Sequence, residues 1–331
     1  RLALYLKSQS NADTTQAVST VINQILQGEL EKHAAEAVGV TISDNVVVKM
    51  LKDYGISINT ASKDAIATEL LPDKLKSDYF ETVIPVSDNQ VYMKAIMTED
   101  TATATIVRDR ISNGDNITAL AEEYGQGYFT QSYKGDFGFH NAAYFTTEYI
   151  PSVPVYYAFS DNVGTGMLSS PLEDAVSQKQ LGYWVVKVND RPSADSANVT
   201  ALLLSNKSEA LAAKAQLEAG DNVTDLADKY SQYSDPKNGH GELGLVNATD
   251  NVSNDFYAYI IDPATPIGEW SQPVRDTTHW TKGGYWVVQV VDRQNYSKIS
   301  DEDRKTLIDR AYSTWASGLM GEAAADVKSN F

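Results

Sequence analysis

The apolar positions of this chain change spacing along its length, and each change predicts a change of element. Over residues 18–40 they recur at helical intervals, with Val18, Ile22, Ile25, Leu26, Leu30, His33, Ala34 and Ala37 near one stripe and Gly39 as a stop. Thr41 to Asp44 offers capping side chains for a helix that ends at Gly55, and Ser62 to Asp64 caps a third. Pro72, suited to a first helical turn, opens a predicted fourth helix over 72–84. From residue 86 the period shortens, and VSDNQVYMKAIM (86–97) reads as a strand. Helices at 99–112 and 117–125 follow, then a strand out of KGDFGF (134–139), a short helix within YIPSVPVYYAF (149–159), and strands in MLSSPL and GYWVVKVNDR. The tail from Ser300 is a capped helix with acidic first-turn residues and a stripe of Leu307, Ile308, Ala311, Tyr312, Trp315 and Leu319. A stripe that apolar must pack on something, and the N-terminal helices are the predicted partner.

The central pattern occurs twice. LSSPLEDAVSQKQLGYWVVKVNDR (168–191) matches WSQPVRDTTHWTKGGYWVVQVVDR (270–293). Upstream, RDRISNGDNITALAEEY (108–124) matches KAQLEAGDNVTDLADKY (214–230), and KGDFGF matches HGELGL (240–245). Three blocks in one order mean duplication of a whole folding unit, too long for a solenoid repeat, so two tandem globular domains are predicted. Each is a mixed unit of one sheet against helices.

Composition narrows the function classes. The 331 residues suffice for two or three domains with their own cores. A net charge of −17 argues against nucleic acid and against electrostatic attachment to anionic membranes; it reads as solubility or as a preference for basic clients. There is no cysteine, which removes disulfides, thiolate nucleophiles and thiolate metal sites. No stretch approaches the roughly 20 apolar residues of a membrane helix. The first residue is Arg1, and a removed signal peptide or anchor is the expectation.

The ordered blocks resemble the parvulin-type peptidyl-prolyl isomerase domain: a strand, NGDN-x-T-x-LA-x-x-Y, GDFG or GELG, an aromatic helix, S-x-P and GY-x-V-V-x-V-x-DR. LEKHAAEAVGVTISDNVVVKML (30–51) resembles the helical chaperone segment of the exported foldases SurA and PrsA. The resemblance implies an α+β protein. A helical domain (1–85) is completed by a C-terminal helix (298–331), and parvulin-like domains occupy 86–194 and 195–297. It also implies an extracytoplasmic foldase that binds unfolded or extended polypeptide, exported or anchored through a segment outside this chain, with no cofactor and no metal. The alternatives are an active prolyl isomerase and an assembly scaffold for one dedicated partner.

The family's proton-handling residues are not matched. Where parvulins place a histidine in the first strand, Ala95 and Leu202 align; where the last strand reads GYH, both copies read GYW, with Trp184 and Trp286. Weak or lost isomerase activity is therefore expected, and no catalytic set is assigned. The peptide-groove candidates are Ala95, Phe137, Phe159 and Trp184 in the first domain. In the second they are Leu202, Tyr233, Leu243, Tyr257 and Trp286. Each tryptophan is read either as core filling or as the floor of an aromatic peptide surface, and the aromatic run Tyr149, Tyr156, Tyr157 carries the same two readings. His33, His140, His240 and His279 show no metal-ligand spacing and read as structural or exposed. The segment from Asp235 to Glu242 lacks the distal glutamate of a calcium loop and reads as a plain loop.

Overall fold

A computed structural model describes residues 14–233 and 240–329; Asp235 to Gly239 of the loop considered above lie outside them. The chain forms two compact units, residues 1–88 with 296–331, and residues 89–295.

The first unit is helical. Helices α1 (Thr14–Ala37), α2 (Asp44–Asp53) and α3 (Thr60–Leu75) pack with the C-terminal helix (Asp301–Ser329). Ala35, Leu71, Leu75, Phe80 and Ile308 form its main core, and Phe80 meets the Tyr312 and Trp315 rings edge-on at 6.1 and 6.0 Å. The buried face of α1 differs from the predicted stripe. It runs through Gly28, Glu31 and Ala35, while Ile22, Ile25, Leu26, His33 and Ala37 are exposed. The cause is close approach: a Cβ on Gly28 would lie 2.6 Å from the Thr68 methyl of α3, so only glycine lets the helices meet there. Buried Glu31 is tolerated because Tyr312 and Gln27 donate to its carboxylate at 3.0 and 2.8 Å. Pro72 also differs: it sits inside α3, which continues into a π-helical turn at Lys76–Phe80 instead of restarting. Burial of Ile66, Leu71, Leu75 and Phe80 overrides the proline's local cost.

The second unit holds two four-stranded sheets. In chain order its elements are β1 (Ser87–Thr98), α4 (Thr101–Ser112), α5 (Ile117–Tyr124), α6 (Gly127–Tyr133), β2 (Asp136–Asn141), α7 (Ala142–Thr147), α8 (Ser152–Phe159), β3 (Leu172–Lys179) and β4 (Gly182–Ser193). They continue with β5 (Ser196–Leu204), α9 (Lys207–Glu218), α10 (Val223–Tyr230), β6 (Glu242–Asn247), α11 (Asn254–Ile261), β7 (Val274–Asp276) and β8 (Thr281–Lys298). Asn116 and Asn222 cap α5 and α10 alike, each accepting from two backbone N–H groups.

Neither sheet is built from one copy of the repeat alone. One has the order β2-β1-β8-β3 and the other β6-β5-β4-β7. The GYWVV strand of each copy therefore completes the other copy's sheet. The exchange is symmetric: Gly182 pairs with Asp276 as Gly284 pairs with Asp174, and Trp184 pairs with Val274 as Trp286 pairs with Leu172. Between the two crossings, Lys179 pairs with Thr281 and Gln178 with Lys282, so segments that would form the return loop of a closed module form an extra antiparallel ladder. Thr281 donates its hydroxyl to the Leu181 carbonyl, and buried Lys179 donates to Ser205 Oγ at 2.6 Å and to the Gly283 carbonyl.

The other repeated letters serve the same exchange. Ser169 Oγ accepts from the Val288 N–H and Ser271 Oγ from the Val186 N–H, both at 2.9 Å. Arg293 reaches back to the Ala158 and Ser160 carbonyls at the end of α8, as Arg191 does to Ile260 and Thr265 after α11. These carbonyls lie at or just past a helix end, where a cation is favoured.

A fragment of residues 86–181 contains β1, β2 and β3 but lacks the strand between β1 and β3. It is expected to show no cooperative urea transition by circular dichroism. Residues 181–281 hold all four strands of the other sheet and are expected to unfold cooperatively; the reverse result would contradict the exchanged pairing.

Candidate functional site

The exchange decides which candidates meet. Ala95 on β1, Phe137 on β2 and Phe159 at the end of α8 share a core with Trp286, not with Trp184. Trp184 packs with Leu243 on β6, Tyr233 and Tyr257. Ala95, Phe137, Trp184, Leu243 and Trp286 are all buried; Phe159, Tyr233 and Tyr257 are partly so. Leu202 faces the other way, into the core beneath α9 and α10. Ala201 is the true counterpart of Ala95: its N–H bonds the Gly241 carbonyl at 2.8 Å, as Ala95 N–H bonds Gly135 at 2.9 Å. Side chains alternate along a strand, so the one-residue offset moved the candidate to the opposite face.

Both tryptophans are fixed by a buried aspartate. The Trp286 indole donates to Asp174 Oδ2 at 2.9 Å, and the Trp184 indole to Asp276 Oδ2 at 2.5 Å. Such charge-assisted bonds are worth about 1.5–3 kcal/mol each. Asp174 Oδ1 accepts from the Val176 and Ser177 N–H groups at 3.0 and 2.9 Å, and Ser177 Oγ donates to Oδ2 at 2.6 Å. Asp276 Oδ1 accepts from the Thr278 and His279 N–H groups at 2.6 and 2.9 Å. Burial pushes the Asp174 carboxyl up, but Ser177, the Trp286 indole and the Val176 N–H outweigh it, leaving it below the ordinary carboxylate range. Asp276 is pushed up by burial and held still further down by His279, the Trp184 indole and the Thr278 N–H.

His279 is the residue that spacing did not reveal. It is not an isolated histidine. Its Nδ1 lies 2.8 Å from Asp276 Oδ2 and its Nε2 is 3.1 Å from the Asn251 carbonyl. A carboxylate and a carbonyl only accept, so the doubly protonated, cationic ring is the form that satisfies both contacts. It meets the Trp184 and Tyr233 rings edge-on at 5.6 and 5.3 Å. Its bond to Asp276 raises its pKa, against the lowering effect of burial. The available signal was Asp276-x-x-His279 at the position that reads Asp174-x-x-Ser177 in the other copy. Elsewhere His33 and His240 are exposed and His140 stacks on Tyr144 at 4.0 Å. No cluster of metal-ligating side chains occurs among the described residues.

Beside Trp286 the first sheet opens into a cavity of about 440 Å³. Trp286 and Asp174 line it, with Tyr128 of α6, Tyr149, Ser177 and Trp280. Tyr128, Tyr149 and Trp280 are all more than half exposed. Trp280 comes from the second copy and Tyr128, Tyr149 and Asp174 from the first, so the exchange builds the rim as well as the floor. Of the nine groove candidates only Trp286 reaches this opening.

With this geometry the chain can be compared with known proteins. No family model matches it. The foldase protein PrsA of Halalkalibacterium halodurans is 25% identical over 179 residues, which is 49% of this chain and 49% of that protein. The chain is thus similar to a PrsA-type foldase, and the match spans about half the length of that relative. Among solved structures, PrsA from Bacillus anthracis overlaps 93% of this chain and 97% of its own, at 10% identity and a TM-score of 0.35. PrsA from Streptococcus pneumoniae overlaps 94% and 85%, at 9% identity and a TM-score of 0.32. No helix among the described residues is long and apolar enough to cross a membrane.

The His279–Asp276 pair makes stability depend on pH in a stated direction. His279 binds its proton more tightly folded than unfolded, so the pair contributes fully below the ordinary histidine pKa of about 6.5 and loses that contribution as pH rises through the raised value. Urea midpoints of the full chain and of His279→Gln are expected to differ most near pH 6 and to converge in the alkaline range. A gap that widens above pH 8 would contradict the pairing.

Proposed function

We propose that this chain is an extracytoplasmic foldase that holds unfolded or extended polypeptide, and that its two parvulin-like modules bind peptide with weak or lost isomerase activity. The observation that carries this reading is the open, aromatic-rimmed cavity beside Trp286, within the size range of ligand sites. Similarity to a PrsA foldase and the exposed Ile22, Ile25 and Leu26 on α1 agree with it. Several shallow sites on one chain raise the effective concentration of each for an extended client.

Rotating an X-Pro amide crosses a barrier of about 20 kcal/mol, and catalysis must favour the twisted amide over the planar one. In both modules the positions where parvulins carry histidine hold alanine and tryptophan. A desolvating aromatic surface remains, but no proton-handling pair faces the cavity. A second reading has one specific observation behind it: His279 and Asp276 lie against Trp184 and Tyr233 in the other module. There the module would be an active isomerase with His279 beside the twisting carbonyl.

Two assays on the full chain separate these readings. Near-stoichiometric protein is expected to suppress aggregation of two unrelated unfolded clients, and Tyr149→Ala with Trp280→Ala is expected to weaken this several-fold. In a protease-coupled prolyl peptide assay, acceleration is expected to fall roughly 100-fold or more short of a histidine-bearing parvulin. Strong acceleration lost in His279→Gln would establish the second reading and overturn weak activity. No suppression with either client would overturn the foldase reading.

A further inference from the structure

The two modules place the same buried aspartate under the same tryptophan but treat its charge differently. Asp276 is paired with His279, which is a cation when protonated. Asp174 has four hydrogen-bond donors, from Val176, Ser177 and Trp286, and all are neutral. The position that holds His279 in one copy holds Ser177 in the other, and the cavity lies there. Asp174 is 2% exposed and is the cavity's one charged lining residue. These donors stabilise the carboxylate without cancelling its charge, so a cation entering the cavity would meet an anion with no opposing charge beside it.

We propose that this cavity takes the cationic side chain of a lysine or arginine in an extended client, which occupies the place that His279 fills in the other module. The inference rests on the peptide-holding role proposed above and names its preferred side chain. The rings of Tyr128, Tyr149, Trp280 and Trp286 are suited to it, because aromatic faces attract cations, most strongly when water is excluded. A net charge of −17 draws basic segments toward the chain.

Tyr149 adds an independent observation. It follows α7 at the position where a helix reverses hand, with φ of +57°, and Ile150 N–H returns to the Phe145 carbonyl. Glycine is the usual residue there, because a side chain in that conformation costs about 1–2 kcal/mol. Tyr149 is 64% exposed and lines the rim of the cavity, where a bound side chain would meet it.

The test uses the full chain and capped pentapeptides that differ only at the central residue: lysine, arginine, norleucine or glutamate. Binding is read by isothermal titration and by tryptophan fluorescence at low and physiological salt. Lysine and arginine peptides are expected to bind about tenfold tighter than norleucine, with the advantage shrinking as salt rises. Ser177→His, which supplies the missing cation internally, is expected to abolish the preference. Tyr149→Gly is expected to weaken binding several-fold while the melting temperature holds or rises, which a purely structural tyrosine would not allow. If norleucine binds as well as lysine, the cation inference falls and peptide holding stands. If no peptide binds, peptide holding at this cavity falls with it.

Discussion

The second unit depends on one constraint: each copy's last strand is satisfied by the other copy. The Trp–Asp bond expresses it most directly. Trp286 of the second copy is held by Asp174 of the first, and Trp184 of the first by Asp276 of the second. The serine of S-x-P and the arginine of the terminal Asp-Arg pair repeat the cross-copy pattern. Three kinds of buried polar contact therefore cross from one copy to the other. Buried polar groups without partners are expensive, so the contacts reinforce one another in selecting this pairing.

Much of this was legible in the chain. The repeat, the order of helices and strands, and the GYWVV strands follow from period and from β-branched and aromatic enrichment, and they lie where pattern places them. Which sheet each GYWVV strand joins was not legible, for a physical reason. The two strands carry nearly the same letters, so either satisfies either sheet's hydrophobic face and capping needs. Only the short run from Lys179 to Leu181, straight instead of turned, distinguishes exchange from closure, and hydrophobic period says nothing about it. The face of Leu202 was missed by one residue of register. The buried face of α1 was missed because Gly28, not a large apolar residue, marks the approach to α3.

The pairing of alanine on the first strand with tryptophan on the last is coherent as packing. Ala95 with Trp286, and Ala201 with Trp184, lie in the same core clusters. A small residue on the first strand leaves room for a large one on the last, so the pair conserves volume far better than either change alone. The indole also needs an acceptor, and the turn aspartate supplies it in both modules. Volume and polarity are therefore settled together, and the same solution is present in both copies.

What then separates the modules is a single turn position. With His279 in place, the ring bridges the aspartate to Asn251, and the imidazole and Tyr233 pack edge-on against Trp184. With Ser177 in place, the hydroxyl bonds the same aspartate but brings neither charge nor bulk, and the space before Trp286 stays open. The cavity beside Trp286 thus lies where the two turns differ in sequence, with the strand pairing alike in both copies. The strand bearing Trp286 continues directly from the turn that carries His279 and Trp280. The exchanged strands join the two turns through one antiparallel ladder, so the residues around each tryptophan come from both copies.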